Sequence, residues 1–284
     1  MSAKKIIEEL NKEIQIIEFR NGESEELRQK YIDRNTIGLS VDQDIYRIFN
    51  TKFLLDDIRD KKITLPQISV NGVGLGDKYS CENPFLDKQF PFENTHVTLV
   101  YLKDFFGSCW SLNALANMAT WSKFGGASSG IRIKTTIRKL MNEICTPDNK
   151  FYGLSYFFGK IKYKEDADYD EWKRSIRDFR QLQDDQLFKS VATLLMLPAT
   201  FKDEKEARLI CHYSEGTPFE KEFVSISSAR ETRLYAQRHF NWENVIEGVE
   251  LEPWAQTETL DDIKDKLSKI GINCDVIISP KFSS

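Results

Sequence analysis

Apolar positions along the chain change their period several times, and each change marks an element. Ile6, Leu10, Ile14 and Ile17 recur at helical spacing, Asn21-Gly22 interrupts them, and SEELRQKY opens a second helix. After Gly38 the pattern alternates. DQDIYRIF predicts a short strand, Thr51 caps a helix running to Asp60, and KKITLPQI returns as a strand. Residues 66 to 95 hold three Pro and three Gly around GVGLGDKYSCENPF, which predicts a long functional or mobile loop. HVTLVYLKDFFGSCWS then gives one or two strands, LNALANMAT a helix of small residues, WSKFGGASSG a turn and GIRIK a strand.

Farther on, a helix from Thr135 to about Cys145 precedes the long aromatic strand FYGLSYFFGKIKY. A charged helix is predicted over about 167 to 185, followed by a buried helix, QLFKSVATLLML, that Pro198 closes. The segment FKDEKEARLICHY reads as a strand pairing near EKEFVSI. After it come a helix RETRLYAQRHF, a strand near VIEGVEL, a helix TLDDIKDKLSKIG and a last strand CDVIIS. This irregular mixture predicts an α+β fold with mixed, largely antiparallel sheets flanked by helices. Residues 1–38 read as an N-terminal helical extension, either packing helices or an arm for a protein partner, and 39–284 as a single domain.

Composition narrows the classes. With 284 residues and 40% hydrophobic content the chain can bury a core, and a net charge of -4 argues against bulk attraction to nucleic acid or anionic lipid. A local basic groove stays possible, so a nucleic-acid partner is not excluded. Five scattered cysteines without a CxxC pair fit reduced thiols in the cytoplasm, and three histidines outside HxH or HExxH spacing predict no metal. MSAKKIIEEL lacks a secretory apolar stretch and VATLLMLPA is too short to span a bilayer, so no membrane is expected.

The charged start of FKDEKEARLICHY is the main candidate for chemistry. If the strand runs through it, Glu204, Glu206, Arg208, Ile210 and His212 share one face, with the two carboxylates roughly 7 Å apart. Such a row is equally the solvated side of a half-buried strand carrying an ion pair. Asp203-Glu204-Lys205 would suit a metal-dependent nuclease if Pro147-Asp148 supplied a further carboxylate. The GVGLG run has no strand-to-helix context and makes a poor dinucleotide fingerprint.

Four segments in order resemble the bacterial family called domain of unknown function 2971, over about 40 to 280. They are IYRIFNTKFLLDDIRDKKITLPQI with the CENPFLD loop, Cys109-Trp110-Ser111 with Trp121-Ser122-Lys123-Phe124-Gly125, LFKSVATLLML with EKEAR, and VIISPKF. The whole pattern is also similar to ADP-ribosyltransferases: an Arg in the first core strand, a Ser ending a middle strand and Glu-x-Glu heading a later one. That resemblance implies NAD as substrate in a nucleotide cleft. Glu206 would stabilise positive charge on the ribose, Glu204 would position a nucleophile, and Arg208 would keep Glu206 ionised. Arg47 would hold the pyrophosphate, Ser111 would hold Glu206 or the ribose, and Tyr46, Trp110, Trp121 or Phe124 would stack on nicotinamide. It also implies a role in bacterial stress or phage defence. Ser111 could equally cap the helix after it, and Trp121 and Phe124 could be core. A non-catalytic ligand sensor or protein-interaction module is the alternative from another class.

Overall fold

Eight strands drawn from both halves of the chain form one sheet in the computed structural model, which describes residues 3–20, 25–68, 84–86, 88–125, 130–146, 152–213, 223–226 and 235–280. In chain order the first elements are α1 (Ala3–Phe19), α2 (Glu25–Asn35), β1 (Thr36–Ile37), β2 (Asp44–Asn50), α3 (Thr51–Arg59) and β3 (Lys62–Pro66). Next are β4 (Gln89–Phe92), β5 (Thr95–Thr98), β6 (Phe105–Ser111), α4 (Met118–Phe124), β7 (Gly130–Thr136), α5 (Ile137–Ile144), α6 (Tyr152–Ser155), β8 (Tyr156–Lys160) and β9 (Lys162–Lys164). The remainder are α7 (Asp166–Ser175), α8 (Phe188–Leu194), β10 (Met196–Pro198), β11 (Glu206–His212), β12 (Phe223–Ile226), β13 (Tyr235–His239), β14 (Gly248–Leu251), α9 (Thr257–Lys269) and β15 (Asp275–Ile278).

The large sheet has the order β1-β8-β11-β6-β2-β7-β14-β15, antiparallel throughout its middle and parallel at its two outermost pairings. Three smaller sheets, β12-β13-β3, β9-β10 and β4-β5, complete an α+β fold of mixed, largely antiparallel character. Both faces of the large sheet are covered. Phe106, Trp110, Ile133 and Leu209 pack into one apolar cluster, while Phe105, Phe157 and Ile210 pack into a second with Val191 and Leu194 of α8. Facing clusters bury β11 along nearly its whole length, so its charged head has no solvated side.

The helix α2 is fastened to this sheet by buried polar groups. Asn35 Nδ2 donates to the carbonyls of Gly153 (2.9 Å) and Tyr156 (2.8 Å), and β1 extends the sheet beside β8.

Several elements differ from the sequence expectation, each for a local reason. LNALANMAT does not form a helix. Helix begins only at Met118, where the Asn117 side chain caps it, and includes WSKF, expected as a turn. The strand expected from Phe151 is split, with β9 turning away to pair with β10. That pairing also ends the buried helix early, at Leu194. The charged helix stops at Ser175. Tyr235–His239 is strand, because it lies between β12 and β3 with Ala236 and Arg238 buried on one side, and sheet pairing overrides helical spacing. β11 pairs with β6 and β8 instead of the EKEFVSI segment. The GVGLG run, Pro147-Asp148 and the RETR start of the expected helix lie outside the described residues.

Candidate active site

The sheet parts beside β6. On one edge β6 pairs with β11 over all seven of its residues. On the other it meets β2 only at Ser111, and the end of β3 only through the Gln67–Phe106 bridge and an Ile68 N–H to Phe105 O bond of 2.9 Å. The opening leads into a cavity of about 410 Å³, within the usual range for small-molecule sites. Its lining includes Gly107 to Ser111 of β6, Tyr46 to Ile48 of β2, Pro66 and Gln67, and the segment before and along α4. Arg132, the turn at Thr200–Glu204 and Glu206 complete it.

Gly107 makes the parting possible. A Cβ there would fall 2.5 Å from Leu209 O and 2.8 Å from Ile68 Cδ1, so the chain after β3 closes onto β6 only against a bare Cα. Gly107→Ala is expected to destabilise the fold by about 1–3 kcal/mol through overpacking, read as a lower urea midpoint at unchanged slope.

Register brings three side chains into line. Ser111 is opposite Glu206 on one side and Tyr46 on the other, and directly opposed residues share a face. Arg47, the next residue of β2, leaves from the other face and lies over the Phe49 ring at 4.5 Å, yet it lines the cavity. Arg47 and Glu206 therefore border one hollow.

Glu206 is 4% exposed. Its Oε1 accepts from Arg208 Nε at 2.6 Å and its Oε2 from Nη2 at 3.4 Å, while Arg208 Nη1 donates to Leu194 O at 2.8 Å. Arg208 thus braces Glu206 from behind, bonded to the last residue of α8, and does not line the cavity. The Glu206 N–H donates to the Tyr163 hydroxyl at 2.9 Å, and burial pushes that hydroxyl up to about 12, so it stays protonated at neutral pH.

The expectation that Glu204 and Glu206 share a strand face is corrected. Ala199–Glu204 is a 3-10 turn and Lys205 is left-handed at φ 43°, so alternation begins only at Glu206. Glu204 still borders the cavity, where Lys123 Nζ meets its Oε1 at 2.8 Å. Ser111 Oγ accepts from the Asn113 N–H at 3.1 Å and so caps a turn rather than a helix. Trp110, with its indole N–H on Ser108 Oγ at 2.9 Å, and Phe124 both line the cavity; Trp121, 1% exposed, is core and does not.

Arg132, Cys109 and Lys123 also line the cavity; the sequence assigned none of them a role in the site, although Cys109 and Lys123 lie within the quoted motifs. The strand GIRIK carried the only signal for Arg132, a cation on a strand whose neighbours are apolar. Among the described residues no group of three or more His, Cys, Asp or Glu side chains is placed to hold a metal ion, and no helix is long and apolar enough to cross a membrane.

No family model matches the chain, so the four-motif resemblance to family 2971 has no support from that side, and no curated protein matches it. Solved structures of Thermus sp. 2.9 DarT are similar. The complex with ADP-ribosylated ssDNA has a TM-score of 0.36 and 12% identity, covering 84% of this chain and 94% of that one. The complex with NAD+ has 0.34 and 12% (84% and 96%), and that with carba-NAD+ 0.32 and 11% (84% and 97%). Likeness at that level says nothing of this chain's chemistry, which has to come from its own residues.

Proposed function

We propose that the chain binds NAD+ in the cleft beside β6 and cleaves the bond between nicotinamide and ribose, passing ADP-ribose to a nucleophile or to water. The observation that carries this reading is the line Tyr46–Ser111–Glu206 across three adjoining strands, with Arg47 of β2 among the residues bordering the same hollow.

Leaving-group departure takes the C1′–N electron pair away with nicotinamide and builds positive charge on the ribose ring. An ionised carboxylate held beside that ring stabilises the charge, and most strongly where water is excluded. Glu206 suits this role because Arg208 fixes its geometry from the side away from the cavity. The acceptor then bonds to C1′ and loses a proton to solvent or to Glu204, which Lys123 holds near the entrance. Arg47 supplies a planar fork for the pyrophosphate, and Tyr46 and Phe124 supply aromatic surface for the base, while Trp110, 2% exposed, packs behind them in the core.

A thermal-shift titration with NAD+ and an assay of nicotinamide release test the reading directly. Arg47→Ala should weaken NAD+ binding by about ten- to a hundred-fold, the loss of one charge-assisted contact. Parallel incubations alone, with protein and with single-stranded DNA identify the acceptor.

Cys109 gives an independent footprint. Its side chain is half-buried and borders the cavity, whereas Cys145 and Cys211 are buried. Saturating NAD+ should slow alkylation of Cys109 several-fold and leave Cys274 unchanged. Equal rates at Cys109 with and without NAD+ would place the dinucleotide elsewhere.

A further inference from the structure

Arg132 is 3% exposed, yet it sits on a strand bordering a cavity, and both of its Nη atoms are hydrogen-bonded. Nη1 lies 2.7 Å from Glu250 Oε2 and donates to Ala114 O at 2.8 Å, and Nη2 donates to Asn113 O. The guanidinium carbon is 4.2 Å from the centre of the Tyr46 ring. Four contacts therefore converge on one planar group: an acidic side chain of β14, two carbonyls of the segment between β6 and α4, and the ring of β2.

The segment in question has fixed ends. Leu112 N–H bonds Lys205 O at 3.0 Å, and Asn117 Oδ1 caps α4 by accepting from the Thr120 N–H at 2.8 Å. Between those ends lie Asn113, Leu115 and Ala116, all of which line the cavity, and Leu115 is 76% exposed. A stretch with so exposed an apolar side chain gains little from packing, so its position depends on polar anchors.

We infer that Arg132 is a positioning residue for the cleft. It ties the Asn113–Ala116 wall and the Tyr46 ring to the sheet, fixing the cavity width opposite Glu206. The part of this inference that concerns ligand affinity rests on the NAD+ reading above; the part that concerns the wall does not. Arginine is required for its fork: lysine would keep the charge but could not reach two carbonyls, a carboxylate and a ring face together.

The test compares the full-length chain with its R132K and E250Q variants, well below their melting temperatures. Amide hydrogen exchange without ligand is expected to rise about ten-fold or more across 112–117 in R132K and less in E250Q, with β11 and α9 unchanged. Alkylation of Cys109 should accelerate in the same order, because the wall no longer narrows the opening. NAD+ affinity should fall about ten-fold in R132K with melting shifted by only a few degrees. Unchanged exchange and alkylation in folded R132K would overturn the inference, as would a loosened wall with undiminished affinity in a protein whose wild type binds NAD+. If the wild type does not bind NAD+, the function proposed above fails, and exchange with alkylation still decides whether Arg132 holds the wall.

Discussion

Glu206→Gln is expected to lower nicotinamide release by about 10²–10³-fold, the scale on which one electrostatic stabiliser acts in a buried site. The substitution keeps shape and an acceptor oxygen for Arg208 Nε while removing the charge that opposes the developing cation on the ribose. Affinity for NAD+ should change far less, because Arg47 and the aromatic lining are untouched. The informative quantities are therefore kcat at saturating NAD+ and Kd measured separately. Since Glu206 and Arg208 are both nearly fully buried, the variant also loses stability, so both proteins must be assayed well below their melting temperatures. A kcat equal to that of the wild type would remove Glu206 from the mechanism. NAD+ binding without turnover in either protein would favour a ligand sensor.

The sequence displayed chemistry more clearly than it displayed the walls around it. Alternation in DQDIYRIF and GIRIK marked β2 and β7, and the helical spacing in TLDDIKDKLSKIG marked α9, because in these segments the local period and the tertiary pairing agree, as they do not at Tyr235–His239. Position 206 stood out through its carboxylate and the arginine two residues later, and register places it beside Ser111 and Tyr46. What stayed hidden was set by distant partners. The break of alternation at Lys205 depends on a left-handed residue inside a run of charges, which carries no periodic mark. Arg132 looked like an ordinary strand cation because the carbonyls that hold it belong to a segment read as helix. The opening arises where β6 parts from β2 and from the end of β3, a long-range event with no local signature.

Arg208→Met should be the most destabilising single change at the site, costing about 3–5 kcal/mol, because it leaves the Glu206 carboxylate buried without its counter-charge. The side chains of Arg208 and Glu206 are only 3% and 4% exposed, so water does not replace the lost partner. Leu194 O loses a donor as well. In urea unfolding the midpoint should drop with little change in slope, since the same surface is exposed on unfolding. The double variant E206Q/R208M separates the two contributions. Removing both charges should recover much of the stability, because a buried pair costs most when half of it is left, while nicotinamide release stays as low as in E206Q alone. Should the double variant be as unstable as R208M, the arginine is holding α8 rather than the carboxylate. Were it to regain turnover along with stability, the charge on Glu206 would have no part in the reaction, whatever the cleft binds.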